Sequence, residues 1–378
     1  MTGRRWDRRP WVQALILVAV TRTVTYAVAY AATLFFAATQ GPNAEGFQAI
    51  WLRWDAQHFV IVAEHGWTGE AEPARPAAFF PLYPLSMRAL MAIGFPPVLA
   101  GLAVSAIASV VACAFLIKLA DEEIGEGAGR RAALYLLLFP TAVFLAAPYS
   151  EALFLAGAIP AFYFARRGEW LQAGPFAAVA MASRAAGGFL LFGLFFEFVR
   201  QGFRDRSWPS RRTRDAAVAI AVGLTPFILY CLYLWKARGT PLQFFIDQRD
   251  GWGRTFVGPV DSFLATWNTR EGLTYPTNWI FAWRIEILAA FAGVMMSIWA
   301  IVKREWGYAA YMAIFMVALM TSTWYFSIPR MLLSFFPVML VMAKATYGRP
   351  ERHEMALLVL APVATLGVIV FTRGAWFY

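Results

Sequence analysis

Apolar runs of roughly 17 to 25 residues, each about long enough to cross a bilayer as a helix, alternate along the chain with short polar segments. The runs lack strict two-residue alternation, so they read as spanning helices rather than barrel strands. The first, residues 11–36, follows the basic stretch "MTGRRWDRRPW". It is long, carries Arg22 and has no small-residue cleavage site, which favours a retained helix over a signal peptide. The next run, residues 79–94, is short and begins with Pro81 and Pro84. A crossing there would invert every later basic loop, so it reads as a juxtamembrane or re-entrant element.

Spans follow at residues 97–119 and 131–147, and another starts near Glu151 and returns to "ARRGEW". Residues 170–200 carry "ASRAAGG" at their middle and read as two short, tilted helices with Arg184 at the outer turn. A span at 215–235 leads to a long polar and aromatic segment, 238–283. Four further crossings end at "VKREWG", "TSTWYFSIPR", "KATYGRPERHE" and "TRGAWFY". The expected fold is all-α and polytopic, a single domain over residues 1–378 with about eleven spans. Its two long outer segments are residues 37–96, with juxtamembrane helices, and 238–283. No repeat suggests an inverted-repeat transporter, and no low-complexity linker divides the chain.

Composition supports this reading. Hydrophobic residues make up 60% of the chain and charged residues only 15%, where a solvated globular surface needs about a quarter. The formal charge of +10 would point to nucleic acid in a soluble protein, but here the basic residues gather at one end of successive spans. That pattern is orientation, with Arg4, Arg5, Arg8 and Arg9 placing the N-terminus inside and Asp55 outside. Cys113 and Cys231 both lie in apolar runs, so neither a disulfide framework nor a cysteine metal site is expected.

On this topology Asp55, His58, Glu151, Arg184, Gln248, Arg254 and Arg330 all fall in outer loops or at outer helix ends. Each has a plain alternative: Asp55 as a solvated acid or helix cap, Glu151 as a first-turn acid, Arg184 and Arg330 as snorkelling side chains, Trp252 as an interfacial anchor. His65 and His353 carry little signal. The combination says more. An acid and two arginines converging at an interface suit a lipid-linked phosphate and an activated hydroxyl, because guanidinium pairs bidentately with phosphate and carboxylate accepts a proton. The chain has no Walker loop and no Gly-rich dinucleotide turn, so a transferred group must arrive already activated and membrane-anchored.

The segments "RWDAQHF", "FFPLYP", "APYSEALF", "ARRGEWLQAG…ASRAAGGFLL", "GTPLQFFIDQRDGWGR" and "SIPRMLLSFFP" resemble, in the same order, those of the PIG-V family. That family comprises the second mannosyltransferase of glycosylphosphatidylinositol synthesis and its prokaryotic homologues, within the GT-C superfamily of polytopic glycosyltransferases. The resemblance implies a polyprenyl- or dolichyl-phosphate mannose donor and a site on the extracytoplasmic or lumenal face. It maps an essential first-loop acid onto Asp55 and a second acid onto Glu151. Ala185 and Ala186 depart from the family, which commonly has a polar residue after the arginine matching Arg184.

The implied reaction is inverting. Asp55 serves as general base on an acceptor hydroxyl, Arg330 and Arg184 meet the donor phosphate, and His58 orients the base or touches the acceptor. Gln248, Trp252 and Arg254 form a lid or acceptor wall. No organic cofactor is implied, and a divalent metal is left open. The acceptor is a glycolipid, a glycan or a protein. The location is the plasma membrane for a prokaryotic source, towards which the Ala-, Arg- and Gly-rich usage points, or the endoplasmic reticulum for a eukaryotic one. The competing reading is a non-catalytic transporter of lipids or polyprenyl-linked sugars. It would need a polar path through the membrane, and few charges are expected at mid-depth.

Overall fold

The structure is a computed structural model that describes residues 9–36, 46–68, 75–268 and 277–376. The described residues form helices and no strand. A long first helix, α1 (Arg9–Phe35), is followed by two short helices in the predicted first outer segment, α2 (Asp55–His65) and α3 (Leu82–Met91). Then come α4 (Pro97–Glu123), α5 (Ala128–Leu137), α6 (Val143–Ala146), α7 (Glu151–Arg166), α8 (Trp170–Ser183), α9 (Gly187–Asp205) and α10 (Ser210–Arg238). The chain closes with α11 (Gln243–Trp252), α12 (Pro259–Asn268), α13 (Thr277–Val302), α14 (Trp306–Met320), α15 (Ile328–Leu332), α16 (Phe336–Thr346) and α17 (Pro350–Thr372).

Each predicted span meets a helix, and the protein is an integral membrane protein. Some details differ. The run 131–147 is α5 and α6 with a break between them, where Pro140 offers no backbone N–H to continue the ladder. The break at residues 184–186 falls where the outer turn was expected. The polar and aromatic outer segment 238–283 contains α11 and α12. The basic residues Arg4, Arg5 and Arg8, on which the orientation of the N-terminus rests, lie outside the described residues.

Among the described residues five helices are long and apolar enough to cross a bilayer: α1, α4, α10, residues 281–302 of α13, and α17. The inner helices are shorter. At 1.5 Å per residue α8 and α14 rise only about 21 to 23 Å, less than the roughly 30 Å hydrocarbon layer. They stop short at Ser183 and Met320, and both ends line one cavity. Small residues allow the close packing that such short helices need. At Gly157 of α7, a Cβ would sit 2.5 Å from the Ala180 backbone nitrogen of α8.

Polar contacts collect at the two ends of the bundle. At one end Arg166 of α7 pairs with Glu305 at 2.8 Å, Glu123 at 2.5 Å and Glu197 at 3.9 Å, tying together α4, α7, α9 and the start of α14. At the other lie Asp55, Glu151, Arg184 and Arg330. Arg22 is an exception within α1: it is buried, and its Nη2 donates to Ser109 Oγ at 2.7 Å and to the Leu145 carbonyl of α6 at 2.6 Å. It thereby satisfies a carbonyl that the short α6 exposes.

Candidate active site

Two unusual backbone turns position the charges. Trp54 has φ +54° immediately before Asp55, and Ser327 has φ +62° immediately before α15, which carries Arg330. Non-glycine residues are strained in this region, so surrounding contacts must hold them. Trp54 packs edge-on against Trp376 at 5.0 Å. Glu286 of α13 is buried and accepts the Ser327 and Ile328 amides, each at 2.7 Å. It therefore caps α15 from outside, with both carboxylate oxygens used. Sequence reasoning missed Glu286, although an acid inside the apolar "WRIEILAAF" is a costly placement that signals a specific partner.

The centre is a four-residue charge cluster. Arg330 Nη1 donates to Asp55 Oδ2 at 2.7 Å, its Nε donates to Glu151 Oε1, and Arg184 Nη1 pairs with the same Glu151 oxygen. The Arg330 guanidinium also lies 4.8 Å from the Phe144 ring centre and 4.5 Å from that of Tyr149, a double cation–π contact. Two carboxylates and two guanidiniums balance in charge. Their exposures differ: the Glu151 side chain is fully buried, whereas that of Asp55 keeps 25% of its surface accessible. Asp55 faces the cavity and Glu151 lies behind it. Arg184 also donates to Met331 Sδ at 3.2 Å, which links the α8–α9 break to α15.

The cavity measures about 1160 Å³. Every predicted site residue except Glu151 lines it, so the structure brings together groups up to 275 positions apart in sequence. His58, one turn on from Asp55, stacks on Phe79 with ring centres 5.2 Å apart, and Trp252 packs against both rings at 5.7 Å. Trp252 thus closes one wall from α11. Gln248 and Arg254 line the same side. Three further lining residues, Leu242, Phe245 and Phe256, are large, apolar and more than half exposed. They give the cavity a greasy rim, suited to bilayer rather than to water.

Burial raises the pKa of the Asp55 carboxyl, but the Arg330 charge and hydrogen bond outweigh that effect and hold it below the ordinary aspartate value. Asp55 is therefore ionised at neutral pH. Burial lowers the His58 pKa, only partly offset by Asp55, so the imidazole is neutral there. Among the described residues no group of three or more His, Cys, Asp or Glu side chains converges. Each of the two site carboxylates has one oxygen paired with guanidinium.

Comparison with known proteins agrees with this architecture. The family described as Mannosyltransferase (PIG-V) matches residues 43–238, a stretch that includes Asp55, Glu151 and Arg184. The "GPI alpha-1,6-mannosyltransferase 2" of Rattus norvegicus is 36% identical over 156 residues, 37% of this chain and 30% of the relative. That of Mus musculus is 36% identical over 164 residues, 39% of this chain and 32% of the relative. The match thus spans about a third of the length of these curated relatives. With more than half of the sequence matched from the first outer segment to the end of α10, the chain belongs to the PIG-V mannosyltransferase family.

Proposed function

We propose that the protein transfers mannose from a polyprenyl phosphate mannose to a hydroxyl acceptor on the extracytoplasmic face, with inversion. The observation that carries this reading is an ionised acid, Asp55, facing a cavity whose exposed rim is apolar. A lipid-linked sugar reaches such a cavity sideways from the bilayer, with its prenyl chain along the rim and its sugar above Asp55. The acceptor oxygen attacks the anomeric carbon as the bond to the phosphate oxygen breaks. The hydroxyl proton passes to Asp55, and the lipid phosphate leaves with the electron pair. A β-linked donor gives an α-mannoside. Arg330 holds Asp55 ionised and in place, while Glu151, buried beneath, holds Arg330 and Arg184 against mutual repulsion. Neutral His58 and Trp252 form the wall against which the acceptor rests.

The test is incubation of purified protein with polyprenyl phosphate mannose, radiolabelled in the sugar, and a membrane extract, followed by mass analysis of labelled products. A product heavier than its acceptor by one hexose is expected. Binding or translocation of the donor without any transferred label would instead support a carrier.

A further inference from the structure

Five arginines line the cavity, and four are engaged. Arg184 and Arg330 hold the two carboxylates, Arg249 Nε donates to Asp250 at 2.7 Å, and Arg53 Nε donates to the Thr372 carbonyl. Arg254 differs. Among the described residues it makes no ion pair, its buried Nε has no hydrogen-bond partner, and its Nη2 reaches only the Phe326 carbonyl at 3.5 Å. The Phe326 ring lies 5.6 Å from its guanidinium carbon. Glu286, which acts on it through space, spends both oxygens on α15. Arg254 is half-buried, and leaving its buried Nε donor unmade is costly.

Arg254 is also held firmly. It follows Gly253, whose φ is +63°, and its flanks are clasped to the segment between α14 and α15. Thr323 Oγ1 donates to the Gly253 carbonyl at 2.7 Å, the Thr255 amide donates to Thr323 Oγ1 at 2.9 Å, and the Val257 amide donates to the Thr321 carbonyl. Such bracing suits a preformed anion subsite rather than a solvated surface arginine. Arg254 and Asp55 line the same cavity, so an anion held by Arg254 shares that space with the proposed base.

We infer that Arg254 is the phosphate-recognising residue of the cavity, taking the phosphate of the lipid-linked donor, and of the lipid phosphate it leaves behind, in place of the carboxylate it lacks. This rests on the proposed donor. It reassigns the phosphate from Arg330 and Arg184, whose guanidiniums are committed to Glu151 and Asp55. An arginine at this position stabilises the leaving phosphate as charge builds on it, while the neighbouring carboxylate receives the proton.

The test compares binding of farnesyl phosphate and farnesol to purified full-length protein in detergent, for the parent, Arg254→Gln and Arg254→Lys. The parent is expected to prefer the phosphate at least about tenfold, a typical scale for a charge-assisted hydrogen bond. Arg254→Gln should bring that ratio close to one while keeping farnesol affinity, and Arg254→Lys should fall between, since a point charge replaces a fork. A retained farnesol affinity shows that the fold is intact. If the parent prefers phosphate and Arg254→Gln keeps the full preference, the role of Arg254 is overturned while the donor reading stands. No preference in the parent overturns both. Equal competition by inorganic phosphate would assign the arginine to free phosphate and overturn the lipid-linked assignment.

Discussion

Arg330 bridges Asp55 and Glu151 through two different nitrogens, Nη1 to the first and Nε to the second. One planar group therefore fixes the distance between the acid that faces the cavity and the acid buried behind it. A lysine ammonium is a point charge on a flexible stem and cannot hold both directions. Arg330→Lys should reduce transfer by about 10²-fold, the scale of a misplacement near 1 Å. The loss should appear in kcat more than in KM, because a guanidinium committed to carboxylates does not set donor affinity. Radiolabelled transfer kinetics check this, and a large KM rise with unchanged kcat would return Arg330 to the donor phosphate.

Glu286 is the support one layer further out. Its two contacts hold a left-handed Ser327 and the first amide of α15. Glu286→Gln keeps one acceptor oxygen but turns an NH2 group towards an N–H donor. The loss of one charge-assisted bond amounts to about 1.5 to 3 kcal/mol. We expect a lower melting temperature in detergent and transfer reduced at least about tenfold. Unchanged melting and unchanged transfer would mean that packing alone holds α15.

Much of this was legible in the sequence because the membrane imposes simple rules. Apolar run length and basic flanks placed the spans, and charges near membrane depth marked Asp55, Glu151, Arg184 and Arg330 as worth attention. Their pairing was not legible, since Arg330 finds Asp55 across 275 positions and Glu151 across 179, and no local pattern encodes that. The helices α11 and α12 escaped because ten-residue polar and aromatic stretches resemble loops until they dock. Arg22 was read only against a signal peptide, yet it satisfies Ser109 and a carbonyl of α6 inside the bundle. The engagement of Arg330 and the contrasting freedom of Arg254 are tertiary facts, and they move the expected phosphate contact from one arginine to another.

Sidedness is testable through thiol labelling. Asp250 and Ser207 are both exposed, and they lie at opposite ends of α10 and its flanking segments. With Cys231→Ser as background and the native Cys113 buried, a cysteine at Asp250 should react with an impermeant maleimide in intact cells. A cysteine at Ser207, in the strongly basic segment before α10, should react only after permeabilisation. The reverse pattern would turn the whole site towards the cytoplasm.

The last prediction concerns the proton. A sugar hydroxyl is a weak nucleophile near neutral pH, and a positioned base supplies about 10² to 10⁴-fold. Asp55→Asn keeps the shape and one acceptor oxygen but cannot take the proton, so transfer should fall by at least about 10²-fold while donor binding persists. The pH profile adds an independent check. Because Arg330 holds the folded pKa of Asp55 below its unfolded value, the stability the ionised carboxylate contributes is present above the unfolded value of about 3.9 and is lost as pH falls through the lower folded one. The acid limb of kcat/KM should likewise lie below the ordinary aspartate range. Arg330→Met removes the largest effect opposing burial and leaves only smaller ones, such as the charge of Arg254, so the acid limb should move upward. An acid limb that stays in place in Arg330→Met, or an Asp55→Asn protein that still transfers mannose at near the parent rate, would assign the base to another residue.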